Sequence, residues 1–208
     1  MIFLASLRST ATIFLICWTS LADAQQITAF FTPRDDTATA VSSQIDTAKK
    51  SILVAAYSLS EPTITAALLD AAKRGVEVHI IVNKTQQNDY YSTAPNLFQS
   101  GIDVVADLRE SLFHNKYIVI DDSIVITGSM NYTKAGTTRN AENVLIITHP
   151  PLAKRYNEDW DFHYNHASPF RIKHSRKDHL QITPPGRHSL PNPARKKETL
   201  SWHALPVP

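Results

Sequence analysis

Cysteine is almost absent from this 208-residue chain: the one copy, Cys17, falls within the first two dozen residues. Residues 1–24 read as a secretory signal, with Arg8 ahead of an apolar run around Thr10 to Trp18, then Ala22 and Ala24 placed as in an A-x-A cleavage site. The mature chain is therefore expected to begin near Gln25, to be periplasmic or secreted, and to hold no thiol and no disulfide. A long hydrophobic run is also missing. The apolar stretch of the leader falls short of the roughly 20 residues a membrane-spanning helix needs, which favours cleavage over a retained anchor. There is no internal repeat and no dense basic block. The net charge of +2 conceals an uneven distribution: Phe170–Pro208 carries eight Lys/Arg against two Asp/Glu, whereas Gln25–Pro169 carries twelve against sixteen, a net of −4. Any attraction to polyanions must therefore be local.

What is present reads as one α/β domain over residues 25–169. Ile27–Phe31 predicts a short strand, and Asp35-Asp36 opens a helix over about Thr37–Lys50 with Val41, Ile45 and Ala48 at helical spacing. The branched run Ile52–Tyr57 is too short for a helix and predicts a buried strand. Glu61-Pro62 starts a helix that closes at Lys73-Arg74-Gly75, and Val76–Val82 resumes as a strand, the order of a parallel crossover unit. A polar loop with one short helix (Asn83–Gln99), a strand (Ile102–Ala106), a hairpin about Asp121-Asp122-Ser123, a strand (Glu142–Thr148) and a helix after Pro150-Pro151 complete the pattern. The fold expected is a mixed, mainly parallel central sheet with helices on both faces. Seven of the twelve prolines lie in Pro169–Pro208, so residues 170–208 predict a basic, disordered tail. Its Arg195-Lys196-Lys197 fits phosphate contacts and ordinary solvation about equally.

The chemistry is concentrated in His114-Asn115-Lys116-Tyr117-Ile118-Val119-Ile120-Asp121 and Gly128-Ser129-Met130-Asn131, the pattern H-x-K-x4-D-x6-G-S-x-N. On an extended chain the two-residue spacing puts His114 and Lys116 on one face, so a nucleophile and a cation can meet one phosphate. Ser129 and Asn131 repeat that spacing after the next strand and offer hydroxyl and amide donors to phosphate oxygens. Gly128 permits a close backbone approach to a ligand. Asp121, opening the hairpin turn, fits a turn cap as well as a reacting group.

Here the chain resembles the phospholipase D superfamily, in particular its short, single-motif, nuclease-like branch of bacterial exported nonspecific endonucleases. The resemblance implies a phosphodiesterase in which one histidine attacks phosphorus, a second protonates the leaving oxygen and then activates water, and an aspartate, Asp121 here, supports the site. It also implies that an acidic residue, Glu142 here, holds the imidazole in its tautomer. Attack and departure lie on opposite sides of phosphorus, so one His114 cannot fill both places. The motif occurs once, and the resemblance implies a homodimer with the active site at the subunit interface. No cofactor and no metal are called for, since two Lys116 ammonium groups would flank the phosphate. The substrate expected is nucleic acid, DNA and possibly RNA. Phospholipid headgroup cleavage is the alternative, disfavoured by the lack of an amphipathic helix with an exposed aromatic and basic border; binding of polyanions without turnover is the second.

Several other residues invite readings. His163 and His166 have a three-residue spacing near a helix end, but without cysteine or a third convincing ligand they are a weak metal signal. Tyr90 and Tyr91 fit either base stacking or a loop packed on the sheet. Asn83-Lys84 ends a strand within reach of a substrate channel.

Overall fold

A computed structural model describes residues 25–172; the expected leader, and the tail from residue 173 onward, lie outside the described residues. In chain order the elements are β1 Gln26–Thr32, α1 Thr37–Thr47, β2 Ser51–Ala56, α2 Pro62–Lys73, β3 Glu77–Asn83, a 3-10 turn Lys84–Gln87, and α3 Ala94–Gln99. They continue with β4 Asp103–Asp107, β5 Lys116–Ile120, β6 Ile124–Gly128, α4 Lys134–Thr138, β7 Glu142–Thr148, α5 Pro150–His166 and β8 Ser168–Pro169. Local chemistry explains the helix ends. Asp36 caps α1 by accepting from Thr39 N, Glu61 caps α2 ahead of Pro62, and His149 caps α5 by accepting from Leu152 N. Gly75, at φ 88°, closes α2 in the left-handed conformation that a residue with a side chain resists.

All eight strands join one sheet in the order β1-β7-β6-β5-β2-β3-β4-β8. The expected mixed sheet with helices on both faces is present, but the expectation of a mainly parallel sheet is corrected. Only β2–β3 and β3–β4 run parallel; β1–β7, β7–β6, β6–β5, β5–β2 and β4–β8 are antiparallel. Crossovers through α2 and α3 keep β2, β3 and β4 in one direction, while the tight β5–β6 turn and the returns that follow alternate the rest. That turn places Asp121 (φ 51°) and Asp122 (φ 55°) in the left-handed region, with Ser123 N donating to Ile120 O, the geometry that hairpin twist favours.

Alternation along each strand divides two cores. Ile52, Val54, Val78, Ile80, Ile118 and Ile120 face α1 and α2, whose Val41, Ile45, Ile64 and Leu68 are fully buried. On the other face Ala55, Ile81, Tyr117, Val119 and Val125 pack against Ala153 and Trp160 of α5, and the Trp160 indole donates to Val54 O. Each large aliphatic side chain so buried contributes roughly 1.5–3 kcal/mol. Packing runs slightly past Pro169: Phe170 is buried against Phe98, and Arg171 N donates to Gln87 Oε1.

Candidate active site

Antiparallel pairing brings the start of β5, the end of β6 and the start of β7 to one end of the sheet, beside the carboxyl ends of β2, β3 and β4. Lys116 opens β5 with His114 two residues before it, Gly128 ends β6 with Ser129 next, and Glu142 and Asn143 open β7. His114, Lys116 and Ser129 line one open cavity of about 560 Å³. Lys116 Nζ lies 3.0 Å from His114 Nδ1 and donates to His114 O. The half-buried Tyr57 at the end of β2 backs both: its ring is 4.5 Å from the imidazole, and the ammonium lies 5.1 Å from its centroid. Burial lowers the Lys116 pKa from its ordinary value, and the nearby Glu142 carboxylate pulls it up.

Glu142 opens β7 beside Ser129. Its Oε2 accepts from Ser129 Oγ at 2.6 Å and its Oε1 from Asn140 Nδ2 at 3.0 Å, so within the chain it orients the serine. Ser129 Oγ in turn accepts from Asn143 N and Nδ2, which fixes the hydroxyl at the cavity wall. Asn131 lies one residue beyond the buried Met130; it does not line the cavity, and its Oδ1 is sealed from solvent without a hydrogen-bond partner among the described residues. Gly128 is needed for contact with protein rather than ligand: a Cβ there would stand 2.1 Å from Asn143 O, so only glycine lets β6 lie this close to β7.

Of the two readings open for Asp121, its contacts are those of a turn cap. It occupies the far end of β5, about 16 Å along the strand from Lys116. There its carboxylate accepts from the backbone N of Lys49, Lys50 and Ser51, closing the α1–β2 connection.

Other residues reach the cavity only through tertiary packing, which no local pattern announces. Asn115, Thr127, Arg155, Tyr156 and Asp159 complete its wall. Asp159 accepts from Tyr117 Oη and Asn115 Nδ2, and burial together with that carboxylate raises the Tyr117 pKa far above its ordinary value, leaving a neutral donor. Asn83, fully buried, accepts from Phe113 N and so steadies the residue before His114; Lys84 donates to Glu110 O. Tyr90 and Tyr91 do not pack on the sheet: they are 92% and 76% exposed and meet edge to face.

An imidazole, an ammonium and an oriented hydroxyl in one open cavity define a protein built to hold and attack a phosphate ester. The family described as "Cardiolipin synthase, PLD-like domain" matches residues 41–163. The chain is 41% identical over 135 residues to a phospholipase D of Rickettsia bellii, a span covering 65% of this chain and 67% of that one. It is 30% identical over 118 residues to the mitochondrial cardiolipin hydrolase of Xenopus tropicalis, covering 55% of this chain and 54% of that one, so it spans about half the length of that relative. In structure it matches Nuc, a phospholipase D family member from Salmonella typhimurium, with TM-score 0.67 and 35% identity over 71% of this chain and 99% of that one. It shares its fold with NucT from Helicobacter pylori, with TM-score 0.66 and 24% identity over 70% of this chain and 99% of that one. The chain belongs to the phospholipase D superfamily, as a single-motif member, and is a phospholipase D-like phosphodiesterase.

Proposed function

We propose that this phosphodiesterase is an exported endonuclease that hydrolyses DNA, and RNA as well, through a phosphohistidine on His114, as a homodimer whose two His114 rings face one phosphate. The observation that carries this reading is the meeting of His114, Lys116 and Ser129 in one open cavity that holds a single motif histidine. His114 of one subunit attacks phosphorus and a P–N bond forms. The P–O bond to the departing strand breaks, and its oxygen takes a proton from His114 of the other subunit. That second imidazole then draws a proton from water, which attacks the phosphohistidine and releases the first ring. Lys116 and Ser129 supply donors to the non-bridging oxygens, so no metal is assigned to the reacting centre. Lys116 Nζ, 3.0 Å from His114 Nδ1, donates to that nitrogen only while it carries no proton, whereas the acid is an imidazolium with a proton on both nitrogens. The attacking ring needs Nε2 free, with its proton on Nδ1 donating to an oxygen acceptor.

The test is the full mature chain, in brief contact with chelator, given plasmid DNA, RNA, and phosphatidylcholine and cardiolipin vesicles beside His114→Ala. Cleavage of nucleic acid that resists the chelator and falls at least about 10³-fold in the variant supports the reading. Binding without turnover contradicts it. For the shared site, wild-type and His114→Ala chains are exchanged in equal amounts: activity well below one half supports it, and activity in proportion to intact chains overturns it.

One observation favours a lipid substrate as the second reading. Leu108, Leu112 and Phe162 are 47%, 54% and 55% exposed, and the Arg109 guanidinium lies 5.9 Å from the Phe162 ring centroid. This apolar and basic border, which the sequence does not announce, lies on the connection leading to His114 and on α5. The names of the relatives, phospholipase D and cardiolipin hydrolase, point the same way. Turnover of vesicles alone would select it.

A further inference from the structure

The two histidines at the end of α5 find their missing partners on a distant strand. His163 and His166 stand one turn apart, and both rings turn to the end of β4. His163 Nδ1 lies 2.8 Å and His166 Nε2 3.2 Å from the same oxygen, Oδ2 of Asp107. Asp107 is fully buried, while its other oxygen accepts from Arg109 N and Glu110 N. Glu110 brings a second carboxylate, and ligand atoms of all four residues lie within 4.8 Å of one another.

We propose that Asp107, Glu110, His163 and His166 bind one zinc ion per chain as a structural site. Two neutral imidazoles and two carboxylates make a four-coordinate donor set that suits this ion and leaves no open position. Tetrahedral zinc with bonds of about 2.0–2.2 Å sets neighbouring ligand atoms roughly 3.3 Å apart, so side-chain adjustment alone closes the group. The ion replaces the ring protons that now crowd one carboxylate oxygen. The His163 proton moves to Nε2, where Asp159 Oδ1 waits at 3.9 Å, the kind of outer carboxylate that orients a ligating histidine.

The place of the site gives the ion its role. The β4–β5 connection, residues 108–115, has no regular secondary structure and carries His114 next to its end. Zinc would fasten its beginning to α5, and the Phe113 ring, 5.0 Å from the His163 ring, carries that anchor to the residue before the nucleophile. Asp159 also lines the active cavity.

The test uses the full mature chain, stripped by dialysis against chelator and reloaded with cobalt(II) or zinc. The expected result is one cobalt per chain with the visible d–d absorption of a tetrahedral site, displaced by one equivalent of zinc. Zinc at about a hundred times its Kd should raise Tm by roughly 5–10 °C. The double variant His163→Ala/His166→Ala should lose both signals, and the half-exposed Glu110→Gln should weaken cobalt at least tenfold where the double variant folds poorly. His114→Ala should keep both, so the result stands apart from the fate of the nuclease reading. Absence of the cobalt spectrum, or a spectrum unchanged in the double variant, overturns the proposal.

Discussion

Replacing Asp121 by asparagine separates a motif residue's place in the pattern from its place in the protein. The carboxylate accepts three backbone bonds: Oδ1 from Lys50 N at 2.8 Å and Ser51 N at 3.0 Å, Oδ2 from Lys49 N at 2.8 Å. Burial raises its pKa, but those donors together lower it below 3.8. Asparagine keeps the left-handed backbone at φ 51° at little cost, retains one acceptor oxygen, and turns an NH2 toward Lys49 N. A bond to a charged acceptor is worth roughly 1.5–3 kcal/mol, and two of the three here are solvent-exposed, so the loss should be about 2 kcal/mol. In a domain of this size that lowers Tm by roughly 4–8 °C. Alanine should cost about 1 kcal/mol more for the left-handed residue. The sign with pH follows from the depressed folded value: the difference between wild type and Asp121→Asn is complete above about pH 3.9, the ordinary unfolded value, and disappears as pH falls through the lower folded one. Urea unfolding at several pH values measures this. Hydrolysis of bis(p-nitrophenyl) phosphate, well below both midpoints, should keep kcat within about twofold. A collapse of kcat with an unchanged unfolding midpoint would refute the argument and return Asp121 to the chemistry.

Two further substitutions address the other end of the sheet. Glu142→Gln removes the charge that holds the Lys116 pKa up, so the ammonium should be lost at lower pH and the alkaline limb of the kcat/KM profile should move down; an unmoved limb would exclude Lys116 as the group titrating there. Gly128→Ala places a carbon 2.1 Å from Asn143 O, and parting β6 from β7 should cost about 3 kcal/mol by urea unfolding, with loss of the Ser129–Glu142 bond and a larger loss of kcat; normal stability and rate would show that the strands yield freely.

Most of the elements were legible because their signals are local. Apolar runs with branched residues mark β2, β3 and β5, and Asp36, Glu61-Pro62 and Lys73-Arg74-Gly75 mark helix ends, all within a few residues of the structural bounds. The short helix α4 was not. Its five residues have no period, and it is held by a Thr133 cap and by the bond from Thr137 Oγ1 to the buried Glu61. Strand direction was misjudged for a related reason: periodicity finds strands but not their partners. In the site, His114, Lys116 and Ser129 were legible from spacing, since two residues along an extended chain share a face. The attachment of Glu142 to Ser129 was hidden because it depends on how β6 pairs with β7. The same blindness concealed Asp107 from His163 and His166, which lie on separate elements.

Sheet direction also explains why the motif divides as it does. The interval from Lys116 to Asp121 is one strand length, so the two residues must face opposite ends of the sheet, whatever chemistry either supports. The interval from Asp121 to Gly128 is the return strand, so Ser129 must come back beside Lys116. A motif read as one reacting constellation is therefore a hairpin with its chemistry at the open end and its anchor at the turn. The open end delivers one imidazole, and in-line transfer through an acid and a nucleophile needs two. The hairpin cannot supply the second, because its other strand returns a hydroxyl at that level; in the proposed homodimer the second ring comes from the other chain, through the open side of the cavity that holds the first.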